Sequence, residues 1–373
     1  MPKEKLMKIG ILTIIDYNNY GNRLQNYAMQ EVLKSLGNDV VTVKNLYVKQ
    51  PKKTFGTQFK KLFSFSKVSG KIRKKIFERK YEKINFRRAQ NFMNFTNHKI
   101  QETTKAYYGV NDDFSELKDI DCYVVGSDQV WNYNFSRFSA MDFAAFTEKS
   151  KIAYAASFGI YNIPVEKQEI YTTGLNQLDY VSVREDAGKK IVESLSNKKA
   201  EVVLDPTLLL KKDQWLELTQ DKPKYQKKYV VTYFLNAPSE SNQEYITNFA
   251  KEHGCEIKAL GKIEDEMWTA DPADFVNLFS QADAVFTDSF HACVFSIIFH
   301  KQFEVFERNG IKDSMNSRMD TLLGQLKLED RWHLTAEKAQ NKIDYVQVDL
   351  ILEKRQAESM KFLTDALNAV KNN

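Results

Sequence analysis

At 373 residues, 43% hydrophobic and 28% charged, with 25 Phe and 18 Tyr, the chain is too long for one ordinary hydrophobic core and too rich in core formers to be disordered, so two folded domains are expected. Three scattered cysteines, Cys122, Cys255 and Cys293, form no CxxC pair and indicate neither a disulfide framework nor a zinc site. With no secretory h-region and no apolar run long enough to span a bilayer, they point to a reducing, cytoplasmic compartment. The net charge of +5 is concentrated: residues 49–88 hold 15 Lys or Arg against two Glu, whereas the rest of the chain carries 39 basic and 47 acidic residues.

The first element is a strand over 8–14, followed by the polar turn "NNYGN" and a helix over 23–36 with Leu24, Tyr27, Ala28, Val32 and Leu36 on one face. A second strand in "DVVTVKNL" completes a βαβ unit, which is parallel and right-handed. After the basic segment come "DCYVVGSDQVW" at 121–131, "KIAYAASFG" at 151–159, "DYVSVRE" at 179–185 and "EVVLDPTLLL" at 201–210, each read as a strand running into a polar turn. Such strands belong to a parallel sheet covered on both faces, with a ligand crevice at the carboxyl ends.

The lysine-rich stretch 211–228, with Pro223, marks a domain boundary. Strands follow at 229–235, 255–260, 283–289 and 302–307. A helix begins near Pro272 with Asp271 as its cap, and a final amphipathic helix over 350–370 crosses back to the first domain. The expected architecture is α/β: two Rossmann-like, doubly wound domains facing across a cleft. The first spans 1–225, with a basic helical insertion at about 49–90, and the second spans 226–373.

Four constellations lie at strand ends. In "NNYGNRLQNYAMQ" a helix N-terminus reaches the carboxyl edge of the sheet, so Asn22, Arg23 and Gln25 line the cleft, or else simply cap and solvate a helix. In "VVGSDQVWN", Gly126, Ser127 and Asp128 permit close approach of a ligand, with Asn132 beside them and Trp131 either stacking on a sugar or base or sitting in the core. Arg184 in "VSVREDAG" anchors a phosphate or carboxylate, or pairs with Glu185 or Asp186. "LDPT" at 204–207 reads as a strand end and turn. The sharpest is "FTDSFHACVFSIIFHKQFEVFERNG": His291 opens an apolar helix directly after a strand, with Asp288 and Ser289 as caps, which suits acid, base or anion contact. Arg308 and Arg318 bring positive charge to the same cleft, or solvate the surface.

Taken in order, "YGNRLQNYAMQ", "VVGSDQVWN", "IAYAASFG", "SVREDAG", "VLDPTLLL" and "TDSFHACVFSIIF" with the following "VF" and Arg308 resemble the polysaccharide pyruvyl transferase family, over about residues 8–330. The resemblance implies a fold similar to the B-type glycosyltransferases. It also implies transfer of the pyruvyl group of phosphoenolpyruvate onto two hydroxyls of a saccharide precursor destined for the cell surface, with ketal formation and phosphate release. His291 matches the family's His as general acid/base, and Arg184 an Arg that anchors the donor. Many relatives carry Arg two residues before that His, where this chain has Ser289 in Asp288-Ser289-Phe290-His291, so either Arg308 or Arg318 is the substitute cation or the donor is a different one.

The expected partners are phosphoenolpyruvate and a nucleotide- or lipid-linked saccharide, with no separate cofactor, no metal and no nucleic acid. The basic segment, with aromatics at helical spacing, is read as amphipathic helices holding the enzyme against the inner membrane face, or as a solvated insertion. Two rival functions are a glycosyltransferase using a nucleotide sugar and a catalytically inactive saccharide-binding protein.

Overall fold

A computed structural model of the chain describes residues 6–46, 65–308, 316–333 and 342–372. Strand β1 (Lys8–Leu12) is an apolar run that ends where the sequence turns polar. Helix α1 (Tyr20–Ser35) restarts at once because the Asn19 side chain accepts a hydrogen bond from Asn22 N. That cap sets the helix start three residues before position 23. The chain returns through Gly37, at φ +77°, into β2 (Asp39–Asn45), parallel to β1.

The basic segment enters one long helix, α2 (Phe65–Lys99), and not a series of short amphipathic ones. The last part of α2 packs inward through Tyr81, Arg88, Phe92 and Phe95, while residues 49–64 of the expected insertion lie outside the described residues. Strand β3 (Glu102–Tyr107) was not legible in the sequence, because an edge strand whose middle residues are exposed lacks a clean apolar pattern.

Next come β4 (Cys122–Val125), β5 (Ser150–Ala156), α3 (Val165–Asn176), β6 (Tyr180–Val183), α4 (Asp186–Leu195) and β7 (Glu201–Val202). The strand expected over 201–210 is only two residues long, because Pro206 opens a short 3₁₀ turn in which Asp205 accepts a hydrogen bond from Thr207 N. The chain continues as α5 (Lys212–Leu216), β8 (Tyr229–Tyr233), α6 (Glu240–Glu252), β9 (Glu256–Leu260), α7 (Pro272–Gln281), β10 (Ala284–Thr287), α8 (Phe290–Ile298), β11 (Gln302–Phe306), α9 (Ser317–Leu326), β12 (Trp332–His333) and α10 (Tyr345–Lys371). Asp271 caps α7 with Pro272 behind it.

Two parallel sheets result, in the orders β3-β2-β1-β4-β5-β6-β7 and β12-β11-β10-β8-β9. The strand order of the first reverses between β1 and β4, that of the second between β8 and β10. Loops after these strands form the crevice that open α/β sheets use for ligands. One apolar cluster joins the two halves: Trp215 meets Tyr27 of α1 at 5.7 Å and Phe295 of α8 at 4.8 Å. Helix α10 starts beside the second sheet, with the Tyr345 hydroxyl donating to Lys301 O at 2.5 Å. It ends on the first, where Leu204 N donates to Ser359 Oγ at 3.0 Å. Among the described residues no helix is long and apolar enough to cross a membrane.

Candidate active site

Two helix N-termini, one from each half, meet at the crevice. Helix α8 is apolar on every side and all nine of its residues are buried, so its orientation is fixed by the core and its first turn presents His291 beyond β10. The imidazole lies against Gly21 in the first turn of α1, where a Cβ would stand only 2.0 Å from Nδ1. Glycine is needed there for the approach of two helices, not to relieve a turn.

Around this contact the structure gathers a buried cluster of alternating charge. Arg184 Nη1 donates to Asp205 Oδ2 at 2.7 Å, and its Nη2 lies 3.6 Å from Asp128 Oδ1. His291 Nε2 is 3.8 Å from the same Asp205 oxygen. The Phe290 ring has the Arg184 guanidinium 4.5 Å from its centroid and the Arg318 guanidinium at 5.7 Å. Arg308 Nε lies 3.6 Å from Asp288 Oδ2, and Asp288 accepts hydrogen bonds from Leu235 N and Asn236 N at the end of β8. Ser289 caps α8. Four buried nitrogens of the cluster, Arg184 Nε and Nη2, Arg318 Nε and His291 Nε2, have no hydrogen-bond partner. The three arginine donors left open in this way point to an oxygen-rich ligand.

The charge states follow from burial and pairing. Burial alone would raise the pKa of Asp128 and Asp205, but Arg184 and local hydrogen bonds hold both below the usual carboxylate value. Burial lowers that of His291, with Asp205 and Asp128 opposing it, so the imidazole is neutral. Arg318, buried and facing Arg184 and Arg308, falls to about 9. Burial likewise lowers Arg308 and raises Asp288, outweighing their mutual attraction.

Asn22 also belongs here: its Nδ2 donates to Asp128 Oδ2 at 3.1 Å and to Ile14 O at 2.8 Å. Ser127 stands one layer back, its Oγ 2.8 Å from Gln25 Oε1 and 3.2 Å from Asp205 Oδ2.

Five expected cleft residues are elsewhere. Arg23 is fully buried and its donors go to Glu102, Asn22 and Ile14 O. Gln25 is spent on Thr13, Asn22 O and Ser127. Gly126 makes a close backbone approach, but to Tyr154 O of β5, 2.3 Å from a hypothetical Cβ, and not to a ligand. Trp131 is core: its Nε1 donates to Asp142 O at 2.9 Å and its ring stacks on Phe143. Asn132 is bonded to Gln129 Oε1 and Asn134 N, away from the cluster.

Asp205 and Phe290 are the residues that sequence reasoning missed. The Asp-Pro-Thr turn explained Asp205 locally and hid its second duty. The usable signal was a carboxylate ending a strand at the same sheet edge as Arg184.

The model of a protein family described as polysaccharide pyruvyl transferase matches residues 19–309 of this chain. No curated protein matches. Among solved structures, the UDP-GlcNAc 2-epimerase of Neisseria meningitidis bound to UDP-GlcNAc is similar at TM-score 0.51 and 11% identity, covering 97% of this chain and 100% of that one. The enzyme of the same name from Methanocaldococcus jannaschii, in complex with UDP-GlcNAc and UDP, has TM-score 0.48 and 10% identity, at 97% and 100% coverage. A glycosyltransferase from Rickettsia africae has TM-score 0.45 and 11% identity, at 99% and 96%. The likeness to the first shows the fold, the two-sheet arrangement of the B-type glycosyltransferases.

Proposed function

The chain belongs to the polysaccharide pyruvyl transferase family, and we propose that it moves the pyruvyl group of phosphoenolpyruvate onto a sugar of a cell-surface polysaccharide precursor, forming a ketal. The observation that carries this reading is the set of buried, unpartnered donors on Arg184 and Arg318, beside the His291 imidazole at the N-terminus of α8. Phosphoenolpyruvate offers a phosphate and a carboxylate for such donors.

The reaction needs a proton on the enol methylene, a stabilised cationic carbon and a deprotonated hydroxyl. His291, neutral in the unliganded site, takes the proton of the first acceptor hydroxyl. The bound donor's negative charge favours the protonated imidazole, which passes that proton to the methylene as the hydroxyl oxygen bonds to the adjacent carbon. The second hydroxyl then displaces phosphate, which leaves with the second proton, and closes the ketal. Arg184 and Arg318 hold the donor's anionic groups, and Arg318 with Arg308 supplies the charge that relatives place at position 289. Asp205 keeps Arg184 charged and in place. The cavity lined by Asp288, Phe290, Arg308 and Arg318 lies wholly within the second half and measures about 20 Å³, room for about one water, so the donor's bulk sits outside it or its lining opens.

For α2 we retain contact with anionic lipid, since Lys80, Lys83, Ile84, Phe86 and Arg87 are exposed on it. Co-sedimentation that ignores the anionic fraction of the vesicles refutes this.

Phosphate release from phosphoenolpyruvate against nucleotide- and lipid-linked sugars, with wild type and His291→Ala, tests the main reading. Release that requires both acceptor and His291 supports it. Nucleotide release from a nucleotide sugar instead identifies a glycosyltransferase, and sugar binding without turnover, unchanged in His291→Ala, identifies a binding protein.

A further inference from the structure

A cavity of about 610 Å³ opens at the carboxyl ends of β1, β2, β3 and β4, within the ordinary size range of small-molecule sites. We propose that it is the seat of the acceptor and that it takes an uncharged sugar ring; the acceptor role rests on the pyruvyl transferase reading.

Position is the first ground. Asp128 is part of the cavity wall and also lies 3.6 Å from Arg184, so a molecule in the cavity is separated from the donor cluster by one side chain. Asn22, which also lines the cavity, binds the other oxygen of that carboxylate.

Lining chemistry is the second. Tyr17 and Tyr108 offer ring faces for the C–H side of a sugar, and Asn45 offers an amide for its hydroxyls, whereas the Asn22 amide is taken up by Ile14, Asp16, Arg23 and Asp128. Tyr17 is a fixed platform: its hydroxyl donates to Glu102 Oε2 at 2.9 Å, and the Arg23 guanidinium sits 5.2 Å from its ring centroid. Arg23, expected at the ligand, thus serves from beneath the ring.

Charge is the third ground and decides the class. Among the described residues the cavity wall carries two carboxylates, Asp128, which faces Arg184, and Asp16. The arginine in the lining, Arg137, is already neutralised by Asp142, Nη2 to Oδ1 at 2.7 Å. Its buried Nη1 has no partner and remains as a donor for a hydroxyl or carbonyl oxygen. An anionic sugar would meet like charge here, whereas the phosphate-bearing donor belongs among the arginines.

The test uses the full chain and saturation-transfer NMR with methyl β-galactoside, methyl β-mannoside, methyl N-acetyl-β-glucosaminide and methyl β-glucuronide, beside calorimetric titration with phosphoenolpyruvate. At least one neutral glycoside should bind in the millimolar range and the glucuronide should not. Tyr108→Ala, at a half-exposed position, should weaken glycoside binding about fivefold while leaving phosphoenolpyruvate binding unchanged. Asp16→Lys should admit the glucuronide. Failure of every neutral glycoside at tens of millimolar, equal binding of the glucuronide to wild type, or indifference to both substitutions in proteins with normal melting overturns the assignment. A protein that binds glycoside in this way but never phosphoenolpyruvate keeps the sugar site and loses the pyruvyl transferase reading.

Discussion

Arg23 and Arg184 occupy equivalent-looking settings and are used in opposite ways. Each lies at the carboxyl edge of the first sheet, each is buried, and each is paired to a carboxylate at 2.9 or 2.7 Å. Every guanidinium nitrogen of Arg23 has an acceptor, in Glu102, Asn22 or Ile14 O. Arg184 spends Nη1 on Asp205 and keeps Nε and Nη2 without a hydrogen bond, Nη2 facing Asp128 at 3.6 Å. Burial and pairing are therefore alike in the two arginines; the leftover donors set them apart.

The largest expected effect comes from removing each cation. Arg184→Met strands two buried carboxylates, Asp128 and Asp205, and should cost about 3–5 kcal/mol in urea unfolding as well as all measurable phosphoenolpyruvate binding. Arg23→Met should also destabilise the fold, through Glu102, yet leave phosphoenolpyruvate affinity near wild type. Equal loss of binding in both variants would break the contrast.

Second comes His291→Ala, for which turnover should fall about 10²–10⁴-fold with donor affinity changed by less than about threefold. A collapse of donor affinity with turnover preserved at saturation would make His291 a binding residue only. Third is a pH effect. Arg318 is charged below about 9 and neutral above it, so attraction for the donor anion is present at neutral pH and lost as pH rises. The KM for phosphoenolpyruvate should climb on the alkaline side from that pH upward, since the bound anion raises the pKa further. In Arg318→Met the climb should disappear and KM be high throughout. Smallest is Gly21→Ala. A Cβ there would stand 2.0 Å from Nδ1 and 2.4 Å from Cγ of His291 on a helix fixed by the core, so kcat should drop about tenfold and the overpacking should cost about 1–3 kcal/mol of stability.

Much of the crevice was legible because a strand running into a polar turn and then an apolar helix is a local pattern. His291, Arg184, Asp128 and Asn22 all sit in such junctions. What was not legible depends on partners far away in sequence. Arg23 looked like a ligand residue until Glu102, 79 positions on, was seen to absorb it. Trp131 looked like a stacking platform, but Asp142 and Phe143 close over it. Asp205 looked like a turn residue because its turn role is real, and nothing in "LDPT" records the guanidinium 21 positions earlier. Arg88 read as part of a surface charge run, whereas it is buried, donating to the Tyr20 hydroxyl and to Asn18 O and Trp268 O.

Helix α10 sets an order of events. Leu204 and Leu208, on either side of Asp205, are held by Ser359 and Gln356: Leu204 N donates to the Ser359 hydroxyl and Gln356 donates to Leu208 O. Leu204 is made 155 residues before Ser359, a delay of about 8–30 s at about 5–20 residues per second. Throughout that interval the loop that bears the carboxylate shared by Arg184 and His291 is unclasped, and it is the docking of α10 that ends it.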